Sequence, residues 1–215
     1  MRVLVPVMVI LLLAAILGDG AGAGARWNLL NGAGFAACGL FVGLSWLSAS
    51  PARQPGLDAH SDLALWICLF ATIHALGLLA AEPTLLEYLG PGAPVYMLVG
   101  VLALLVLLAL TAASYPGPRQ RVWRSWPAFR AWHRWLWLGL LLAIAWHVLG
   151  AGFYLDTPAA RLLGLGVLVL LPLGFWLDRR LLRDRPRPQE PGPAFNGMTG
   201  LCAFLATVLF AVLKA

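Results

Sequence analysis

The chain has 215 residues, of which 61% are hydrophobic and 11% charged, with a formal net charge of +6. A water-soluble domain of this size carries roughly 25% charged residues, so the composition excludes an ordinary soluble globule and points to a membrane protein. Nor does the positive charge indicate nucleic acid: the arginines lie in short links between apolar runs, where membrane orientation accounts for them.

A bilayer core takes about 20 apolar residues per helix. On that measure the sequence predicts spans at 1–17, 28–49, 60–81, 93–114, 132–152, 159–177 and 196–213. The intervening links at 18–26, 50–59, 81–92, 115–130 and 178–193 are rich in the proline and glycine that stop helices. The opening run MRVLVPVMVILLLAAILG has a basic start and is followed by AGAGA. These features suit a signal peptide and equally a retained first helix. The expected division is a signal-like segment or first transmembrane helix with its link (1–27), a core domain (28–178), and an arginine-rich cytoplasmic loop with a C-terminal transmembrane helix (179–215). The fold class is all-α, a polytopic membrane bundle of 6–7 transmembrane helices.

Arginine placement orients the bundle. Arg2, Arg53, the group from Arg119 to Arg134 and the group from Arg179 to Arg187 fall on one side. Arg26, Arg161 and Lys214 fall on the other, a division of twelve against three. Basic loops stay in the cytoplasm, which places the N-terminus inside and runs the third and fifth spans outward. Cys38, Cys68 and Cys202 stand alone in apolar runs with no CxxC or CxxCH. They read as small buried hydrophobes rather than as zinc ligands or c-type haem attachments.

The four histidines carry the chemistry. His60 and His74 belong to the third span, His133 and His147 to the fifth, and both separations are fourteen residues. Fourteen steps of about 100° leave two side chains about 40° apart around a helix, and the rise is roughly 21 Å. Each pair therefore shares a face and reaches both boundaries of the hydrocarbon. Because the spans run parallel, His60 matches His133 in depth and His74 matches His147. A site with two imidazoles is too poor for structural zinc, which takes four protein ligands, or for most catalytic zinc, which takes three. Haem iron takes four nitrogens from its porphyrin and lacks only axial ligands. The expectation is two haem b groups between the third and fifth helices. A lone intramembrane histidine is often a helix–helix hydrogen bond or a relay member, but that role does not generate two equal spacings on parallel spans.

Other residues are less specific. Arg53, Arg130 and Arg134 lie at the inner boundary, where they pair with haem propionates or simply set topology. Gly34, Gly39, Gly43 and Gly139 allow close approach of a macrocycle or of a neighbouring helix. Trp123, Trp126, Trp132 and Trp135 suit an interfacial aromatic belt, whereas Trp66, Trp137 and Trp146 are placed deeper, against haem faces or in generic packing.

LWICLFATIHALGLL, PVYMLVGVLALLVLLALTAAS and WPAFRAWHRWLWLGLLLAIAWH, in that order, resemble three core segments of the ferric reductase-like transmembrane domain, the membrane part of NADPH oxidases and metalloreductases. The resemblance covers roughly residues 28–178 and is sharp at the histidine pairs. It implies that His60, His74, His133 and His147 are axial ligands and that electrons cross from the cytoplasm outward. The chain is also similar in size to the haem-binding membrane subunit of the periplasmic methionine-sulfoxide reductase system. It departs from that subunit in two places: the arginine-proline-tyrosine start of the fourth helix is PVY here, and His60 completes a pair that looks incomplete there. Unlike in the larger reductases, no flavin or nicotinamide domain follows the sixth span, and no GxGxxG opens a βα unit. Flavin or quinone therefore belongs to a partner.

The expected function is transmembrane electron transfer in a bacterial inner membrane, from a separate cytoplasmic flavoprotein or quinol to a periplasmic acceptor. The lipid bilayer is the other partner and nucleic acid is none. A haem-binding subunit for a periplasmic oxidoreductase is the nearest alternative. A histidine-relay, proton-coupled transporter and a haem-free membrane anchor are the alternatives of other classes.

Overall fold

A computed structural model describes residues 24–47, 55–170 and 172–174. Among these residues every regular element is helical: α1 (Ala25–Leu47), α2 (Pro55–Ala81), a 3-10 turn (Pro83–Leu89), α3 (Val95–Ser114), α4 (Pro116–Trp123), α5 (Trp126–Ala151) and α6 (Pro158–Leu165), which runs into a π-helical turn (Gly166–Leu170). Four of them, α1, α2, α3 and α5, are long and apolar enough to cross a membrane. The expected spans at 1–17 and 196–213 lie outside the described residues. At the expected sixth span stands an apolar helix, Pro158–Gly174, that is shorter than the four long enough to cross a membrane.

The fifth span starts earlier than the hydropathy suggests. The sequence reading opens it at 132 and assigns 115–130 to a link, but α5 begins at Trp126, and α4 occupies the link before it. Ser125 caps α5 by accepting a hydrogen bond from the Ala128 amide at 3.4 Å. Pro127 sits in the first turn, where its missing N–H leaves no bond unmade. Proline is a start signal here rather than a stop. A sharp turn at Arg124, with φ of 55°, separates the two helices. Likewise α2 opens at Pro55 rather than at 60, so His60 and His133 stand more than a turn inside their helices. Gly152 closes α5 in the left-handed conformation, its amide donating to the Val148 carbonyl.

The main packing seams join α1 to α2 and α3 to α5; α2 meets α3 less extensively. The backbones of α2 and α5 form no comparable seam, although these are the two helices that carry histidines. Leu40 and Phe41 of α1, Leu63 and Ile67 of α2, Leu107 of α3 and Leu141 of α5 meet in one buried cluster. Lipid tails are as apolar as leucine, so such helices associate by close packing rather than by hydrophobic drive. The small Ala33, Ala36 and Ala37 that α1 adds to the cluster permit that closeness. Leu65, Leu69, Ile73 and Leu76 of α2 form an exposed stripe at helical spacing, a surface suited to lipid.

Candidate functional site

Helices α2 and α5 run parallel and bring the four histidines together in two pairs. The rings of His60 and His133 lie 6.0 Å apart, centroid to centroid, with planes at 53°. Those of His74 and His147 lie 6.4 Å apart at 71°. We call these the N-terminal and C-terminal levels, after their positions along α2 and α5. Leu63, Ile67 and Phe70 from α2 and Leu140 and Leu141 from α5 fill the apolar layer between the levels.

At the C-terminal level each ring is held from behind. His74 Nδ1 lies 3.0 Å from the Leu30 carbonyl of α1, and His147 Nδ1 lies 2.9 Å from the Tyr96 carbonyl of α3. A carbonyl oxygen can only accept, so both imidazoles are Nδ1–H tautomers whose Nε2 carries a free lone pair facing away from the flanking helix. The supports match in detail. Gly34 stands one hydrogen-bonded turn beyond Leu30, and a methyl there would sit 2.9 Å from His74 Nδ1. Gly100 stands one turn beyond Tyr96, and a methyl there would collide with His147 Nδ1. In return Gly77 of α2 receives the Leu30 side chain, and Gly150 of α5 receives Tyr96, whose Cβ and Cγ would lie 2.6 and 2.9 Å from an added methyl. Sequence reasoning singled out Gly34 but missed Gly77, Gly100 and Gly150. A signal was available: HALG at 74–77 and HVLG at 147–150 are the same pattern twice.

The N-terminal level is built differently. His60 and His133 are followed by HSDL and HRWL, without the glycine. The His133 ring packs on Phe129 at 5.1 Å, and its buried Nδ1 has no hydrogen-bond partner. The Arg119 guanidinium covers Trp126 at 4.7 Å and Phe129 at 5.7 Å, which sets a cation near this level. Of the arginines singled out from the sequence, Arg130 and Arg134 are exposed on α5 around His133, and Arg53 lies outside the described residues.

What can two imidazoles hold? Among the described residues no three His, Cys, Asp or Glu side chains group into a metal site, so an ion held here needs ligands beyond those the described residues supply. Two imidazoles opposed across one first-row metal ion place their centroids about 6.2 Å apart, from bonds of about 2 Å and about 1.1 Å from nitrogen to ring centre. The observed 6.0 and 6.4 Å bracket that value. Rotation about the metal–nitrogen axis is free, so planes at 53° and 71° are compatible with it. The tautomer at the C-terminal level presents Nε2, and the backbones of α2 and α5 form no extensive seam. The residues fit haem.

The structure places the less specific residues as well. Trp146 is 62% exposed. Trp66 stacks on Phe70 and Trp137 on Phe41, which is packing among side chains. A methyl at Gly139 would meet nothing within 4 Å, so no helix approaches there. Cys38 and Cys68 are free and buried. Beside the C-terminal level, Tyr154, in the link after α5, donates to the Oδ1 of the buried Asn28 at 2.6 Å and ties that link to the start of α1.

Comparison of the chain with family models, curated proteins and solved structures found no match.

Proposed function

We propose that the chain is a transmembrane electron carrier of the ferric reductase-like kind that holds two b haems, one at each histidine level. The observation that carries this reading is the pair of imidazole couples, at 6.0 and 6.4 Å, on parallel apolar helices. His60 with His133, and His74 with His147, would hold the two groups. Haem with two imidazole ligands supplies one-electron exchange between ferric and ferrous iron.

The chain's own part is to orient, exclude and insulate. The carbonyls of Leu30 and Tyr96 fix the tautomer and direction of His74 and His147, as second-shell acceptors do for metal-binding histidines. The layer of Leu63, Ile67, Phe70, Leu140 and Leu141 keeps water out and the dielectric low. That layer also speaks against a proton relay between the levels, which needs a chain of hydrogen-bonding groups. By the arginine distribution, the N-terminal level faces the cytoplasm of a bacterial inner membrane, in a bundle of 6–7 spans. Electrons then enter from a cytoplasmic flavoprotein or quinol and leave to a periplasmic acceptor.

A reduced-minus-oxidised spectrum of the purified chain, with haem counted as its pyridine complex, tests the reading. Two b haems per chain are expected. His74→Ala or His147→Ala should each leave one haem bound. A colourless protein with native helicity would end the proposal, and so would loss of both haems from either single change.

A further inference from the structure

The two levels differ in a way that bears on the energy of the electron. At the C-terminal level both imidazoles donate Nδ1–H to a backbone carbonyl. Such a bond raises the basicity of the ligating nitrogen, and a stronger donor favours ferric over ferrous iron. At the N-terminal level the buried His133 Nδ1 makes no such bond, so at least one of its two ligands is the weaker donor. Arg119, held over Phe129 at 5.7 Å, with Phe129 against the His133 ring at 5.1 Å, puts a positive charge near this level. A cation favours the reduced iron, which carries one positive charge fewer. Ligand basicity and the charge of Arg119 therefore act in the same direction.

We infer that Leu30 with Gly34, and Tyr96 with Gly100, are positioning elements that make a haem at the C-terminal level the lower-potential one of the two. The inference rests on the two-haem reading above. The glycines act through the histidines. Without a side chain at Gly34 and Gly100, the imidazole can lie against the flanking helix and reach a carbonyl already engaged in the helix ladder. With one electron supplied by a donor, the N-terminal level would hold it. Passage to the C-terminal level is uphill and proceeds when the outer acceptor removes the electron quickly, which restrains leakage to adventitious oxidants.

Potentiometric titration of the purified full-length chain in detergent, followed in the visible and by low-temperature EPR of the ferric haems, tests this. The wild type should titrate in two steps, and His147→Ala should remove the lower one. Gly34→Ala, the gentler of the two glycine changes, should keep two haems and raise only the lower midpoint. The rise expected is about tenfold in the one-electron equilibrium, or about 59 mV, with an altered EPR signature for that haem alone. If Gly34→Ala loses haem instead, selective loss of the low-potential component supports the assignment and loss of the high-potential component overturns it. Two haems with an unmoved lower midpoint in Gly34→Ala, or removal of the upper step by His147→Ala, would also overturn it. A wild type without haem would overturn the two-haem reading itself, and shows in the spectrum before any titration begins.

Discussion

Gly150→Ala in α5 should destabilise the bundle, although alanine is the better helix former. An added methyl would stand 2.6 Å from Tyr96 Cβ and 2.9 Å from Tyr96 Cγ, against an ordinary carbon–carbon contact of about 3.5–4.0 Å. The Cβ of Tyr96 is fixed by the backbone of α3, so no rotamer change relieves the overlap and the two helices must part by roughly 1 Å. Overpacking of this kind costs about 1–3 kcal/mol. Parting α3 from α5 also stretches the 2.9 Å bond from His147 Nδ1 to the Tyr96 carbonyl beyond hydrogen-bonding range, a loss of about 1 kcal/mol. The gain in helix propensity returns at most about 1 kcal/mol. The net expectation is a loss of about 1–3 kcal/mol. Gly139→Ala, in the same helix but with nothing within 4 Å of the new methyl, is the matched control and should be neutral or slightly stabilising. Unfolding in mixed micelles followed by circular dichroism measures both. Equal stabilities for the two variants would refute the close packing of Gly150 on Tyr96 and, with it, the account of how His147 is held.

Further outcomes can be measured on the same preparation. Tyr154→Phe removes the 2.6 Å bond to the buried Asn28 and should cost about 1–3 kcal/mol. Burial pushes the Tyr154 hydroxyl from its ordinary value of 10 up to about 12. The folded chain thus holds that proton more tightly than the unfolded one, and the stabilisation is complete below pH 10 and lost as pH rises toward 12. Tyr154→Phe should flatten this decline in unfolding curves taken across that range. Leu141→Ala, at 1% exposure in the layer between the levels, should cost about 2–5 kcal/mol. Its neighbour Leu142, 52% exposed, should change stability by about 0.5 kcal/mol or less on the same substitution. Arg119→Ala should lose about 0.5–1 kcal/mol through its contact with Trp126. A double-mutant cycle with Trp126→Ala should recover that coupling, and strict additivity would place Arg119 elsewhere.

How much of this was legible in the amino-acid order follows from where each piece of information resides. The helices and the pairing of histidines depend on short-range properties. A run of apolar residues long enough for a bilayer declares a span, and a fourteen-residue spacing puts His60 with His74, and His133 with His147, on one face of any helix. Parallel spans then bring equal depths together. The start of α5 is not legible from hydropathy, because proline stops a helix from within but opens one from its first turn, and only the Ser125 cap distinguishes the two at Pro127.

What holds the imidazoles was decided by packing alone. His74 meets the Leu30 carbonyl across 44 residues of chain, and His147 meets the Tyr96 carbonyl across 51. A backbone carbonyl has no letter of its own, so no residue pattern announces it as a ligand's partner. The repeated HxLG was visible, yet its glycines acquire meaning only when α1 and α3 lie against them. The contrast between the levels is tertiary for the same reason: one has acceptors behind both rings, and the other has a buried ring nitrogen without a partner. Periodicity along a single helix lets sequence choose which side chains share a face. Which neighbour covers that face, and how closely, depends on the fit of whole surfaces.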